Sequence, residues 1–203
     1  MRAPVKLYLA SSNPGKLAEF RELAGTDASG VTLELELLPK FESMPRFEET
    51  APTFAENAVG KALHYSRLCD GFVFADDSGL VVPALGGAPG IRSARYAGPD
   101  AGSTERNEKL LQALQQKSGV ERHAHFVCAV ALTAHGCARA IFSARVDGEI
   151  LEAPRGSGGF GYDPVFYFPL LKKSFAEISR YEKNQHSHRG KAFRKLLHFV
   201  ADI

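Results

Sequence analysis

The chain of 203 residues is poor in several features that would each fix its class. Cysteine is scarce: Cys69, Cys128 and Cys137 are odd in number and form no C-x-x-C pair. That excludes a disulfide framework or a zinc site of the usual spacing and points to a reducing compartment. Charge of one sign is nearly missing, since 25 Lys and Arg against 23 Asp and Glu leave +2. No whole-molecule basic field for a stable nucleic-acid partner exists, so any basic site must be local. Long apolar runs are absent. The longest, around Phe126 to Ala134, is about half of what a membrane span needs, and Met1 to Ala10 lacks a signal-peptide core. The expectation is a soluble cytoplasmic protein with no membrane partner. The 19 glycines and 11 prolines are near ordinary usage and exclude low complexity, while 44% apolar and 24% charged residues exclude disorder. At about 150 residues per domain, the length predicts one domain over residues 1–203, with room for two lobes and a real core.

What is present reads as strands alternating with helices. Val5 to Ala10 is a buried strand, Ser11 to Lys16 a turn, and Leu17, Phe20, Leu23 and Ala24 form one helical face that Gly25 stops. Val31, Leu33, Leu35 and Leu37 alternate with polar residues as a half-buried strand. Pro39 to Pro52 is an acidic loop. Thr53-Phe54-Ala55-Glu56 is a capping box that opens a helix to about Cys69, with Gly71 after it. Phe72 to Ala75 is a strand that Asp76-Asp77-Ser78-Gly79 breaks and Leu80 to Val82 resumes. Pro83 to Gly102 is loop, and Thr104 to Lys117 a helix. Ala124 to Thr133 and Ala138 to Val146 form a hairpin around His135-Gly136. A glycine-rich loop, a short strand at Val165 to Phe168 and a helix over Arg189 to Val200 close the chain. This order predicts an α/β fold with a mixed sheet.

Four segments carry candidate chemistry. In the first, strand, Ser11-Ser12-Asn13-Pro14-Gly15-Lys16 and helix present backbone N–H groups at a positive helix end, with the Lys16 charge beside them. This suits phosphate, although an ordinary turn with a surface lysine has the same composition. It is not a Walker A loop, because Ala10 and Leu17 stand where glycine and Ser/Thr are needed. In the second, Asp76 and Asp77 end a buried strand, where adjacent carboxylates repel and resist burial. A hard divalent cation relieves both costs; a solvated Asp-Asp-Ser-Gly turn is the plainer reading. Glu48 or Glu49 could complete a metal site, whereas Glu56 has the spacing of a cap. The third, Lys172 to Lys195, carries eight Lys/Arg against two acids. Lys183 and Ser187-His188-Arg189 lie there just before or at a helix start, opposing its dipole, so they suit an anion or simply a solvated face. In the fourth, glycines around Phe160 and Tyr162 permit close approach to a flat ligand and stacking on a base, or an aromatic anchor pins the loop. Together these are the parts of a nucleoside-triphosphate enzyme.

The segments LASSNPGK, FEETAPTFAENAVGKA, ADDSGLVVPALGGAPGIRSARYAG, GGFGYDPVF and EKNQHSHRGKAF occur in that order over nearly the whole chain. In this the chain resembles the inosine/xanthosine triphosphate pyrophosphatases, which hydrolyse deaminated purine nucleotides. The resemblance implies an elongated two-lobed fold, a central mixed twisted sheet flanked by helices, and an active site in the cleft between lobes. It also implies a homodimer and dependence on Mg²⁺. By motif, Ser11, Ser12, Asn13, Pro14, Gly15 and Lys16 hold the nucleotide, chiefly its phosphates. Glu48 and Asp77 bind the metal, and Asp77 accepts the proton. Ser78, Phe160, Gly161, Tyr162, Asp163, Lys183, His188 and Arg189 complete the pocket, the last two near the base. The implied reaction is attack of water on the α-phosphorus of ITP, dITP or XTP, releasing pyrophosphate. A donor aimed at position 6, such as Arg189 or His188, favours the 6-oxo group over adenine's amino group. Guanine must then be refused at position 2. The alternatives are a pyrophosphatase for pyrimidine or modified nucleotides, and a non-catalytic nucleotide- or RNA-binding protein.

Overall fold

The computed structural model describes residues 4–25 and 32–202. Met1 to Ala3 of the N-terminal stretch, and Val31 at the head of the second expected strand, lie outside the described residues. The strands are β1 (Val5–Leu9), β2 (Leu33–Leu37), β3 (Phe72–Val81), β4 (His123–Ala134), β5 (Cys137–Ile150), β6 (Phe166–Phe168) and β7 (Lys173–Ser174). The helices are α1 (Pro14–Gly25), α2 (Phe54–Ser66), α3 (Ser103–Ala113), α4 (Arg180–His186) and α5 (His188–Ala201). The strands form a seven-stranded sheet in the order β2-β1-β3-β4-β5-β6-β7. β1 runs parallel to β2 and β3, while β6 is antiparallel to β5 and β7, so the sheet is mixed.

The chain forms two compact units. The first comprises Met1–Asp77, Cys128–Ala144 and Arg189–Ile203, the second Ser78–Val127 and Arg145–His188. In the first unit, side chains alternate across the strands. Leu7, Leu9, Phe74, Cys128, Val130 and Leu132 point to one face and pack with Phe20 and Leu23 of α1 and with Phe193, Leu196 and Leu197 of α5. The Phe20 ring meets Phe74 edge-on at 5.2 Å. Val73, Ala75, Ala129 and Ala131 point to the other face, against Ala58, Ala62 and Tyr65 of α2. Small residues on both sides of that seam let α2 approach the sheet closely. The second unit is built on Leu80, Leu110, Leu114, Phe126, Phe166 and Phe175. There the buried Arg122 guanidinium donates to the carbonyls of Leu114, Lys117, Ile150 and Leu151, which satisfies loop and helix-end groups left without a partner in their own element.

Several elements differ from the sequence reading. β3 is continuous through Asp76-Asp77-Ser78-Gly79: these turn-forming residues are held extended by the sheet, so context overrides local preference. The helix α4 was not expected, although Ser179 and Glu182 form a full capping box at its start. Lys183 therefore lies inside a helix rather than before one. α2 ends at Ser66 and α3 at Ala113, earlier than apolar spacing suggests. The hairpin is as expected, with φ of 51° at His135 and 72° at Gly136, the paired left-handed residues of a tight two-residue turn.

Candidate active site

In the first unit, the parallel strands end together. Leu9 pairs with Phe74, the Ala10 N–H donates to the Phe74 carbonyl at 2.9 Å, and the Leu38 N–H donates to Leu9. Asp76 and Asp77 thus extend past the carboxyl end of β1, where open α/β sheets bind ligands. Extended backbone sends their side chains to opposite faces, which eases the repulsion their adjacency threatens. Asp76 continues the Phe74 face toward α1 and α5; Asp77 continues the Ala75 face toward α2.

Asp76 is fully buried among charges. Its Oδ1 accepts from Lys16 Nζ at 2.8 Å and its Oδ2 from Arg189 Nε at 3.3 Å. Arg189 Nη1 donates in turn to both oxygens of Glu19, at 3.0 and 3.3 Å. Burial pushes the Asp76 carboxyl up, but Lys16, Arg189 and Lys61 outweigh it and hold the group well below the usual carboxylate range. Sequence reasoning gave Arg189 to the base; the structure engages its Nε and Nη1 with two carboxylates. Glu19 was missed, although it lies one helical turn from Lys16 on α1 and so shares its face.

Asp77 has the opposite electrostatics. Its Oδ2 accepts from Asn57 Nδ2 at 3.0 Å. Burial, then the charges of Glu49 and Asp76, outweigh Asn57 and Lys61 and raise its carboxyl to about 6. Asn57 also binds both backbone groups of Ala51, Lys61 holds Glu49 at 2.7 Å, and the Tyr65 hydroxyl accepts from the Phe47 N–H. One face of α2, at positions 57, 61 and 65, therefore straps the acidic loop beside Asp77. Glu48 is exposed in that loop, while Glu49 is half-buried and acts on Asp77. Asn57 and Lys61 were not singled out from sequence, though both stand in the segment that carried the resemblance, four residues apart.

The first loop also departs from expectation. The N–H groups of Gly15 and Lys16, expected to face a phosphate, donate to Asn13 Oδ1 at 2.8 and 3.3 Å. Asn13 caps the helix itself, as asparagine does well. Pro14 opens the helix, and the Asn13 N–H donates to Ser11 Oγ at 3.1 Å. Ser12 is exposed.

The second unit holds its own cluster. Asp163 Oδ2 accepts from Lys183 Nζ and from the Phe160 N–H. The Lys183 ammonium lies 4.3 Å from the centre of the exposed Phe160 ring. A Cβ at Gly159 would collide with Asp163, and one at Gly156 with the Ala176 backbone, so both glycines are required by close approach. Tyr162 is buried, its hydroxyl donating to the Ser93 carbonyl at 2.9 Å. Of the two aromatics offered for stacking, Phe160 has the exposed ring. His188 stacks on Phe126 at 4.7 Å, and Ser78 is half-buried in β3.

The fold is that of a mixed α/β protein with a buried cluster of charged side chains at the carboxyl ends of parallel strands, the place where open α/β sheets bind ligands. The chain belongs to the Ham1 family, which it matches over residues 7–199. It is 48% identical over 191 residues to a dITP/XTP pyrophosphatase of Geobacillus kaustophilus, covering 94% of this chain and 92% of that one. It is 44% identical over 199 residues to one of Yersinia pseudotuberculosis, covering 97% and 98%. A solved HAM1 protein of Coxiella burnetii superposes with a TM-score of 0.87 at 42% identity, covering 98% of this chain and all of that one.

Proposed function

We propose that this chain hydrolyses deaminated purine nucleoside triphosphates (dITP, XTP and ITP) to the monophosphate and pyrophosphate. The observation that carries this reading is the division of labour between Asp76 and Asp77. Asp76 holds the Lys16 ammonium at the strand ends, while the Asp77 carboxyl is raised by burial and then by the charges of Glu49 and Asp76. Relatives at 44–48% identity over nearly the full chain bear the name of this activity.

The residues fit a divalent cation that arrives with the phosphates. The charges of Glu49 and Asp76 that act on Asp77 favour it. Mg²⁺ takes one or two carboxylates and leaves the rest to phosphate and water. Asp77 and Glu48 are its proposed ligands, and when bound it supplies charge neutralisation to the phosphates. Asp77 accepts a proton from the water that attacks the α-phosphorus, and Asn57 holds its other oxygen in place. Lys16 stabilises the charge that grows on the leaving pyrophosphate. Ser11 to Lys16, Ser78, Phe160 to Asp163, Lys183, His188 and Arg189 are the proposed nucleotide-contacting residues. The three free thiols suit a cytoplasmic setting, and a homodimer completes the proposal.

The test is a panel of ITP, XTP, dITP, GTP, ATP and dTTP with Mg²⁺, with and without EDTA, in which pyrophosphate is measured. Deaminated purines are expected to turn over fastest, and EDTA to stop the reaction. Asp77→Asn is expected to lower kcat by roughly a thousand-fold or more with KM little changed. Orthophosphate as first product would overturn the bond assignment, and equal rates across the panel the base preference. Preference for dTTP would favour a pyrimidine pyrophosphatase, and no turnover at all a binding protein.

A further inference from the structure

The segment Phe160–Asp163 is anchored at each residue, and one anchor comes from a helix outside the recognised motifs. The Phe160 N–H rests on Asp163, Asp163 on Lys183, and the Tyr162 hydroxyl on Ser93. Gly161 remains. Its φ is 63°, in the left-handed region, and a Cβ there would meet nothing within 4 Å. Glycine is needed at this position for backbone conformation, not for space. The Gly161 N–H donates to Ser103 Oγ at 3.3 Å, and the Gly161 carbonyl accepts from Asn107 Nδ2 at 3.1 Å. Ser103 and Asn107 lie four positions apart on α3 and so share one helical face. Between them they hold both peptide planes that flank Gly161.

Asn107 does this at a cost. It is 6% exposed, and among the described residues its Oδ1 has no hydrogen-bond partner. A buried orphan acceptor destabilises a fold, and an apolar side chain such as the nearby buried Leu110 would avoid it. The amide is explained by the donor it supplies to Gly161, not by packing.

We propose that Ser103 and Asn107 are positioning residues for base recognition: by fixing both peptide planes at Gly161 they set the loop that meets the nucleobase, and so govern selectivity among purines. This rests on reading Phe160–Asp163 as nucleotide-contacting. A loop free to rotate at Gly161 still admits a nucleotide, but loses the difference between bases that depends on aligned donors and acceptors.

The experiment measures kcat and KM for ITP, XTP and GTP with the full chain, alongside a thermal melt. Asn107→Ala is expected to raise KM for ITP about ten-fold, leave kcat within about three-fold, and lower the ITP-to-GTP ratio of kcat/KM about ten-fold. Ser103→Ala moves the same quantities in the same direction. Ser103→Thr, which keeps the hydroxyl acceptor, recovers at least about half of that loss on a logarithmic scale. Phe160→Ala is the control for the loop. If it raises KM while folded Asn107→Ala and Ser103→Ala leave KM and the ratio unchanged, the positioning role is wrong and the loop reading stands. If Phe160→Ala also changes nothing, the loop reading fails and takes the proposal with it. A fall in kcat alone, equal for all bases, also overturns it. Should Asn107→Ala not fold, the Ser103 pair decides by the same criteria.

Discussion

The Asp77 carboxyl is raised to about 6 by burial and by the charges of Glu49 and Asp76, against an ordinary 3.8. In the metal-free protein the native state therefore holds a proton between those values that the unfolded chain has released, and ionisation above that range costs native stability. Asp77→Asn removes the cost while Asn57 keeps an oxygen to donate to. In EDTA, the variant is expected to melt roughly 3–6 °C higher than the parent near pH 7.5 and at the same temperature near pH 4. Scanning calorimetry at the two pH values checks this. A lower melting point near pH 7.5 would mean that the carboxylate is better compensated than its neighbours indicate. The same variant is the one expected to lose activity, the usual opposition between a stable site and a working one. At this scale the sequence named Lys16, Asp76, Asp77 and Arg189 through their motifs. It did not yield Glu19, Asn57 or Lys61, because an acid, an amide or a lysine on a helix reads as surface until the helix is docked. Residue spacing left Glu48 and Glu49 open, since neighbouring residues differ only in the direction the backbone gives them, and the choice of Glu48 came from the resemblance alone.

Elements were legible where local chemistry and burial agree. Thr53 caps α2 by accepting from the Glu56 N–H at 3.1 Å, as its spacing requires. The β4–β5 turn was equally clear, and it leaves room for improvement. His135 sits at φ 51°, a conformation that a side chain with Cβ adopts at a cost and that asparagine tolerates best among non-glycine residues. His135→Asn is expected to stabilise the protein by about 0.5–1 kcal/mol, read as a higher urea midpoint at unchanged slope. An unchanged midpoint would show that His135 makes a compensating interaction in the folded state. Where local preference and tertiary context conflict, the reading failed. Asp76 to Gly79 have turn composition but complete a strand of ten residues, Phe72–Val81. In the first loop the competing contact is local instead: the Asn13 side chain accepts from the Gly15 and Lys16 amides two and three positions on, an N-cap that the sequence also permits.

Across the whole molecule, charge is nearly balanced, and the basic C-terminal stretch does not act as one field. Lys183 is buried against Asp163 in the second unit, and Arg189 against Glu19 and Asp76 in the first. Among the described residues no helix is long and apolar enough to cross a membrane. The three thiols report on different depths: Cys137 is exposed, Cys69 intermediate and Cys128 buried in the first unit's core. Burial also pushes the Cys128 thiol well above its ordinary value, with Asp76 adding to the effect. A thiol reagent is expected to modify Cys137 at once, Cys69 more slowly, and Cys128 only at the rate at which the first unit opens. Mass spectrometry of the labelled peptides follows the order, and rapid labelling of Cys128 would mean that this core is open in the native state.

The sequence alone determined the α/β class, the helix cap, the hairpin turn and the family, because each rests on residues close together in the chain or on motifs that recur in order. Tertiary structure alone decided which charge meets which. Lys16 and Asp76 are 60 positions apart, Asp76 and Arg189 are 113, and Glu19 and Arg189 are 170. Pairing over such separations is set by how strands and helices pack around a common core, and local propensity carries no record of it.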